Sequence, residues 1–167
     1  APFVMNMLDL PDGTVLFVSG QGTTQLYIYF PDGTAITNGQ PVINSITQNT
    51  DGSYHLVGTG LTGLSAGAAY GDDWQMDSNY PLVRLTNNAT GNIYYARTYG
   101  WSSTGVQTGS KIVTTDFTLP PSLPSGTYSL VVSANGIKST PQTLNHFPPN
   151  APTGLSAGIN SGSVSLS

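Results

Sequence analysis

The chain has 167 residues and carries only 4 basic and 8 acidic side chains, which gives a net charge of −4 at neutral pH. Four scattered bases cannot form the positive surface that nucleic acid requires, and no apolar run approaches the roughly 20 residues of a membrane helix, so we expect neither nucleic-acid binding nor membrane insertion. All the acids are aspartate and cysteine is absent, which leaves few residues for exposed helix surfaces and excludes disulfides and thiol chemistry.

The first third of the chain predicts an N-terminal β-hairpin. Turn signals stand at Pro11–Gly13, Pro31–Gly33 and Asp51–Gly52, because glycine supplies a positive φ and proline pre-sets the entry to a turn. The β-branched and aromatic runs Thr14–Val18 and Gln25–Phe30 have the length of strands. We expect them to pair, and to cover their apolar side chains on the rest of the chain or on a second copy of it.

The remainder of the chain predicts an all-β, antiparallel β-sandwich. Strand-like segments recur at the spacing that sandwiches produce. They are Pro41–Ile46, Tyr54–Val57, Tyr80–Thr86, Asn92–Tyr99, Lys111–Thr118 and Gly126–Ser133, with a further edge strand over Ile137–Leu144. Leu130–Val132 is the most hydrophobic of these segments, so we expect it in a central strand. Residues 58–79 have no regular hydrophobic period, which predicts a long loop.

One stretch of the chain resembles a known family. Gly63–Met76, followed by Asn79–Thr86, is similar to the C-terminal domain of galactose oxidase-like and glyoxal oxidase-like proteins, and the similarity extends from about Pro41 to Leu144. The Gly-Asp-Asp and Asn-Tyr-Pro-Leu-Val-Arg runs occur together and in order. This resemblance implies an immunoglobulin-like sandwich of the early-set type, packed against a seven-bladed kelch propeller.

The resemblance divides the chain into three regions. Residues 1–40 form a hairpin or a partial propeller blade, since Leu8–Asp32 resembles the end of the last blade. Residues 41–147 form the immunoglobulin-like early-set sandwich. Residues 148–167 combine a proline linker with segments, Ala151–Ala157 and Gly162–Ser167, that look like the first strands of a fibronectin type III domain. A segment as short as residues 151–167 cannot bury a core of its own. We therefore interpret it as the truncated start of a fibronectin type III domain.

The resemblance also bears on catalysis. Copper radical oxidases of this family take one histidine ligand from the loop that corresponds to Thr98–Gln107, which has no histidine here. Trp101 stands about where that ligand would be, and an indole N–H cannot ligate copper. The cysteine of the family's cross-link is absent as well. We therefore predict that the chain is not an enzyme and holds no cofactor.

Loop aromatics are the candidate ligand-binding residues: Trp74, Tyr99 and Trp101. Exposed aromatic rings can stack on sugar rings or anchor a protein partner at little entropic cost. The alternative is that they close the ends of the sandwich or pack on the propeller.

Asp72, Asp73 and Asp77 form the only acidic cluster of the sequence and are a weak calcium candidate. Aspartate oxygens are calcium ligands, but the spacing lacks the central glycine and the final glutamate of an EF-hand. The alternative is that these carboxylates cap turns of the loop and pair with Arg84 or Arg97. His55 and His146 are far apart in sequence and are interpreted as ordinary solvated or hydrogen-bonded histidines.

The sequence thus predicts a non-catalytic structural or interaction module that buttresses a propeller and spaces other domains. Low charge with abundant Thr, Ser and Asn indicates a secreted or cell-surface protein, and the lack of cysteine favours a bacterial one. Expected partners are the neighbouring domains of the parent chain, a polysaccharide or a protein, and a second copy joined through blade edges. The alternative functions are a carbohydrate-binding module and an inactive remnant of a copper radical oxidase.

Overall fold

The computed structural model describes residues 5–19, 25–64, 80–103, 105, 110–147, 157–160 and 163–166. The regular secondary structure of these residues is almost entirely antiparallel β-strand. The strands are β1 (Met5–Asp9), β2 (Val15–Ser19), β3 (Leu26–Tyr29), β4 (Val42–Gln48), β5 (Tyr54–Thr59), β6 (Leu82–Asn87), β7 (Ile93–Tyr99), β8 (Ile112–Phe117), β9 (Gly126–Ala134), β10 (Ile137–Lys138), β11 (Gln142–His146), β12 (Ala157–Asn160) and β13 (Ser163–Leu166). A 3-10 turn at Thr37–Gly39 precedes β4. The predicted all-β, antiparallel class is confirmed.

The central sheet follows the order β10–β9–β6–β7–β8–β5–β4, with β11 also paired to β9. Strand β7 belongs to both halves of this sheet. Along most of its length it pairs with β6, and at its end Thr98 and Tyr99 pair with Phe117 and Asp116 of β8. The sheet therefore folds over at β7 into two facing halves, which gives a sandwich-like fold.

Alternation of buried and exposed residues places the core between these halves. In β5, β6 and β8 every second residue is buried, including Leu56, Leu85 and Phe117. The remaining buried core side chains come from β7, β9, β11 and adjoining loops: Ala96, Tyr128, Leu130, Val132, Leu144, Leu61 and Leu123. Packing of these apolar side chains is the main stabilising contribution to the fold.

Strand β9 occupies the central position that its hydrophobicity predicts. It pairs with β6 on one side and with β10 and β11 on the other, and Leu130–Ala134 is buried without interruption. Just before this run, the fully buried Tyr128 donates a hydrogen bond of 2.6 Å to the Pro124 carbonyl. This bond fixes the proline-rich loop against the first residues of β9.

The predicted edge strand over Ile137–Leu144 is wrong in its bounds, because the structure divides it into β10 and β11. Ser139 interrupts the ladder. Its hydroxyl accepts a hydrogen bond of 2.9 Å from the Val132 N–H, while its own N–H donates to the Val132 carbonyl. Pro141, which has no N–H to donate, follows two residues later. The chain then pairs again with β9 from Gln142 onwards.

The N-terminal region is a three-stranded meander and not the predicted two-stranded hairpin. β2 pairs with β3 as expected, and β1 adds a strand on the other edge of β2. The sequence Met-Asn-Met-Leu-Asp of β1 contains no β-branched or aromatic residue, so propensity does not indicate a strand there. Its strand conformation depends on pairing with Val15–Ser19.

The end of the described chain is a separate pair of strands. β12 and β13 are antiparallel neighbours, with Ala157 opposite Leu166 and Asn160 opposite Ser163. The linker residues 148–156 and the predicted loop residues 65–79 lie outside the described residues. Among the residues that are described, no helix is long and apolar enough to cross a membrane.

Candidate functional site

The candidate residues from the sequence fall into two groups. Trp74, Asp72, Asp73 and Asp77 lie outside the described residues. Tyr99 is the last residue of β7, and Trp101 follows it after the tight turn at Gly100, whose φ is +63°.

Trp101 stacks on Tyr80, which precedes β6. The ring centroids are 4.2 Å apart and the ring planes are inclined by 14°. This geometry is a close, nearly parallel stack of two aromatic rings. Sequence reasoning identified Trp101 but not Tyr80 as its partner, since the two residues come together only through the pairing of β6 with β7.

The buried Thr98 hydroxyl holds this stack in place. It accepts a hydrogen bond of 2.9 Å from the Trp101 indole N–H and donates one of 2.6 Å to the Pro81 carbonyl. Thr98 is 1% exposed and Pro81 adjoins Tyr80. One hydroxyl therefore binds the Trp101 ring and the backbone of the residue that follows Tyr80.

The stack forms one wall of a cleft of about 330 Å³, here called the aromatic cleft. Tyr95 and Arg97, which point outward from β7, line it together with Tyr80 and Trp101. Tyr99 is directed elsewhere, because its hydroxyl lies 3.1 Å from the Thr118 hydroxyl. The structure thus separates two residues, Tyr99 and Trp101, that the sequence grouped together.

Positive charge lies on the same face of the sheet as the aromatic cleft. Arg84 of β6 is the direct cross-strand neighbour of Tyr95, and Arg97 is opposite Leu82. Both arginines alternate with buried residues and so point outward. Among the described residues, neither arginine forms an ion pair. The face therefore presents two arginine side chains next to the exposed Tyr95, one across the strand pair and one two residues further along β7.

A histidine–aspartate pair lies on another part of the outer surface. His55 Nδ1 is 2.7 Å from Asp116 Oδ1, and the two side chains are 38% and 30% exposed. They are direct cross-strand neighbours in β5 and β8. Sequence reasoning missed this pair because its members are 61 residues apart. In the described part of the chain no third His, Cys, Asp or Glu joins them to complete a metal-binding group.

The meander meets the sandwich through two turns, an arrangement here called the docking contact. The β1–β2 turn (residues 10–14) lies against the β9–β10 turn (residues 134–137). The Ser133 hydroxyl donates a hydrogen bond of 3.1 Å to the Pro11 carbonyl. A Cβ placed on Gly136 would lie 3.1 Å from Gly13 Cα. A side chain at either position would press on the other backbone, and both residues have a positive φ, so glycine is strongly favoured at Gly13 and Gly136.

Asn135 and Gly136 give the β9–β10 turn its shape. Their φ angles of 46° and 72° are both positive, as a two-residue hairpin turn of type I′ requires. The Asn135 side-chain oxygen also accepts a hydrogen bond of 3.0 Å from the Leu64 N–H, which ties the loop after β5 to this turn. The turn therefore contacts both that loop and the meander.

A cleft of about 640 Å³ lies beside the docking contact, between the meander and the β9–β10 turn. Asp12 lines it, and hydrogen bonds from the Thr14 side chain and backbone lower the pKa of the Asp12 carboxyl. Nearby Lys138 lowers this pKa further. The Asp12 carboxylate accepts hydrogen bonds from the Thr14 backbone N–H and from the Thr14 hydroxyl. Asp12 therefore caps the β1–β2 turn.

Comparisons with protein-family models, with curated proteins and with solved structures find no match to this chain.

Proposed function

We propose that the chain is a non-catalytic structural and interaction module of a secreted multidomain protein, in which the sandwich holds a neighbouring β-assembly at a fixed position. The observation that carries this proposal is the docking contact. Backbone approaching backbone at Gly13 and Gly136, with the Ser133–Pro11 hydrogen bond beside it, leaves little freedom for the meander to move.

The composition of the meander supports a neighbouring assembly. Met7, Phe17 and Tyr27 are cross-strand neighbours on one face, and Leu8, Leu16 and Ile28 are cross-strand neighbours on the other. Met7, Leu8, Tyr27 and Ile28 are each 44–47% exposed. A sheet that is apolar on both faces is normally covered on both faces. The expectation that the rest of the chain covers these side chains is not met by the described residues.

Coverage of both faces is what a blade inside a propeller receives from the two adjacent blades. The meander thus supports the interpretation of residues 1–40 as the end of a kelch propeller. A second copy of the chain, joined through the unpaired edges of β1 or β3, is the alternative partner.

The strand order supports an immunoglobulin-like early-set domain of the galactose oxidase-like type. Immunoglobulin sandwiches place strands A, B, E and D in one sheet and strands C, F and G in the other. Here β4, β5, β8 and the end of β7 follow one another in the first half, and β6, β9 and β11 follow in the second. The Tyr128–Pro124 hydrogen bond resembles the tyrosine corner of such sandwiches.

Hydrogen exchange on the full chain tests the proposed support of the meander. Gly136→Ala introduces a Cβ into the docking contact, whereas Gly91→Ala introduces one at a hairpin turn with no atom within 4 Å. Both glycines have nearly the same φ, +72° and +74°, so the backbone strain is matched. We expect amides of β1–β3 to exchange about tenfold faster in the Gly136 variant alone, because a small isolated sheet is marginally stable.

Equal exchange of β1–β3 in the two variants would contradict the proposal, since the meander would then be stable without the sandwich. Loss of protection throughout β5, β6 and β9 would indicate general unfolding, and Ser133→Ala then provides the milder test. This variant removes the hydrogen bond to Pro11 without adding an atom to the contact.

A further inference from the structure

We propose that the aromatic cleft binds a carboxylate-bearing sugar unit of an acidic polysaccharide. The aromatic rings would contact the C–H face of the sugar, and Arg97, with Arg84 beside it, would bind carboxylates. This site is independent of the docking contact and lies on different strands, so its test is also independent of the proposed support function.

The aromatic rings of the cleft are held in place by the protein itself. Thr98 holds Trp101 and the segment before β6 in place, so the Tyr80–Trp101 stack exists before any ligand arrives. Tyr80 is 42% exposed and Tyr95 is 47% exposed. Exposed rings that are already ordered lose little conformational entropy on binding. Sugar rings carry patches of C–H groups that match such flat apolar surfaces.

The charges beside the cleft favour an acidic ligand. The chain has a net charge of −4 and only 4 basic residues, yet two of these, Arg84 and Arg97, flank Tyr95 on one face. A guanidinium group binds a carboxylate through two parallel hydrogen bonds. Two of the four basic side chains of the chain thus lie close together on this face, which favours an anionic ligand there.

The size of the cleft favours a sugar unit over a folded protein. Its volume of about 330 Å³ is at the lower end of the range for small-molecule sites. A stable protein interface buries roughly 800 Å² on each partner, which is far more than one small cleft supplies. Nucleic-acid binding requires a longer row of basic side chains than two arginines.

Binding of defined oligosaccharides to the full chain tests this proposal. The probes are an oligogalacturonate and the same oligosaccharide with its carboxyl groups reduced to alcohols, and binding is followed by isothermal calorimetry and by tryptophan fluorescence. We expect the acidic probe to bind at least tenfold more tightly than the reduced probe. We also expect its binding to weaken as salt is added, because salt screens the arginine–carboxylate attraction.

Matched variants distinguish the cleft from general charge. Arg97→Gln should weaken binding of the acidic probe about tenfold, while Lys111→Gln, which removes the same charge from an exposed residue outside the cleft, should leave it unchanged. Thr98→Val keeps the side-chain shape but removes both hydrogen bonds, so it should weaken binding of both probes. Trp101→Ala should abolish detectable binding.

Three results would overturn the proposal. Equal affinity for the two probes, or equal effects of the Arg97 and Lys111 variants, would show that the guanidinium group does not select a carboxylate. If neither probe binds at millimolar concentration while the sandwich stays folded, the glycan site is excluded. The Tyr80–Trp101 stack would then be a contact for a neighbouring protein domain. Arg97→Gln alters an exposed side chain, so misfolding does not obscure its result.

Discussion

The Tyr128 hydroxyl donates a hydrogen bond of 2.6 Å to the carbonyl of Pro124, although the Tyr128 ring is fully buried in the core. Tyr128 thereby connects two features that hold the sandwich together. Its ring lies edge-on to Tyr94, with 6.1 Å between the ring centroids, and its hydroxyl anchors the loop that crosses between the two halves.

We expect Tyr128→Phe to lower the free energy of unfolding by about 1–2 kcal/mol, because the Pro124 carbonyl loses its donor while the ring still fills the core. This corresponds to a fall of several degrees in Tm for a domain of this size. Thermal and urea unfolding measure the change. Tyr95→Phe is the matched control, since its ring is 47% exposed. A similar loss in both variants would show that the Pro124 bond contributes nothing specific.

Acid should weaken the turn that contains Asp51. The Asp51 carboxylate accepts hydrogen bonds from the Ser53 hydroxyl and backbone N–H, and these bonds lower its pKa from the ordinary 3.8. A lowered folded-state pKa means that the stabilisation is fully present above pH 3.8 and is lost as pH falls through the lower folded value.

The corresponding measurement compares the Tm of the unmodified chain with that of Asp51→Asn across this pH range. We expect the unmodified chain to be more stable near neutral pH, and the difference in Tm to close as pH falls below 3.8. The asparagine side chain can still accept both hydrogen bonds but does not titrate. The Asp51→Asn variant therefore keeps the geometry of the turn and removes only the charge. A difference that stays constant with pH would contradict the role of the Asp51 charge.

Much of this fold could be predicted from local sequence, but its pairs of interacting side chains could not. The alternating patterns of β5, β6 and β8 and the apolar run of β9 indicate strands directly. Strand β1 lacks such a pattern, and the interruption at Ser139 depends on a hydrogen bond to β9. These features require the tertiary pairing to be known.

The same limit applies to the candidate site. Trp101 is visible in the sequence as a loop aromatic, whereas its stack on Tyr80 and its hydrogen bond to Thr98 depend on the register of β6 against β7. His55 is likewise interpreted as an ordinary histidine until β5 pairs with β8 and brings Asp116 beside it. Register between distant strands is set by the whole core, so no local pattern encodes these pairs.

We expect the chain to retain no copper and to release no peroxide from galactose or from an aldehyde. The resemblance to copper radical oxidases places Trp101 where a histidine ligand would stand, and the Trp101 N–H is engaged as a donor to Thr98. The chain also has no cysteine for the cross-linked cofactor of that family. Metal analysis after dialysis and a coupled peroxide assay test both parts. Peroxide release that requires added copper and is lost with a chelator would contradict the prediction.

The last prediction concerns where the sandwich ends. The sequence resemblance extends only to about Leu144, but β11 continues to His146. Asn145 and His146 pair with Thr127 and Gly126 of β9, and the Thr127 hydroxyl donates a hydrogen bond of 3.0 Å to the Asn145 side chain. Truncation after Phe147 should therefore leave Tm nearly unchanged, because β11 stays complete. Truncation after Leu144 should lower Tm by about 5 °C or more, since it removes two residues of this ladder and exposes the edge of β9 beside them. An unchanged Tm in both truncations would show that Asn145 and His146 add nothing to stability, whereas an equal fall in Tm in both would show that residues 148–167 pack on the sandwich.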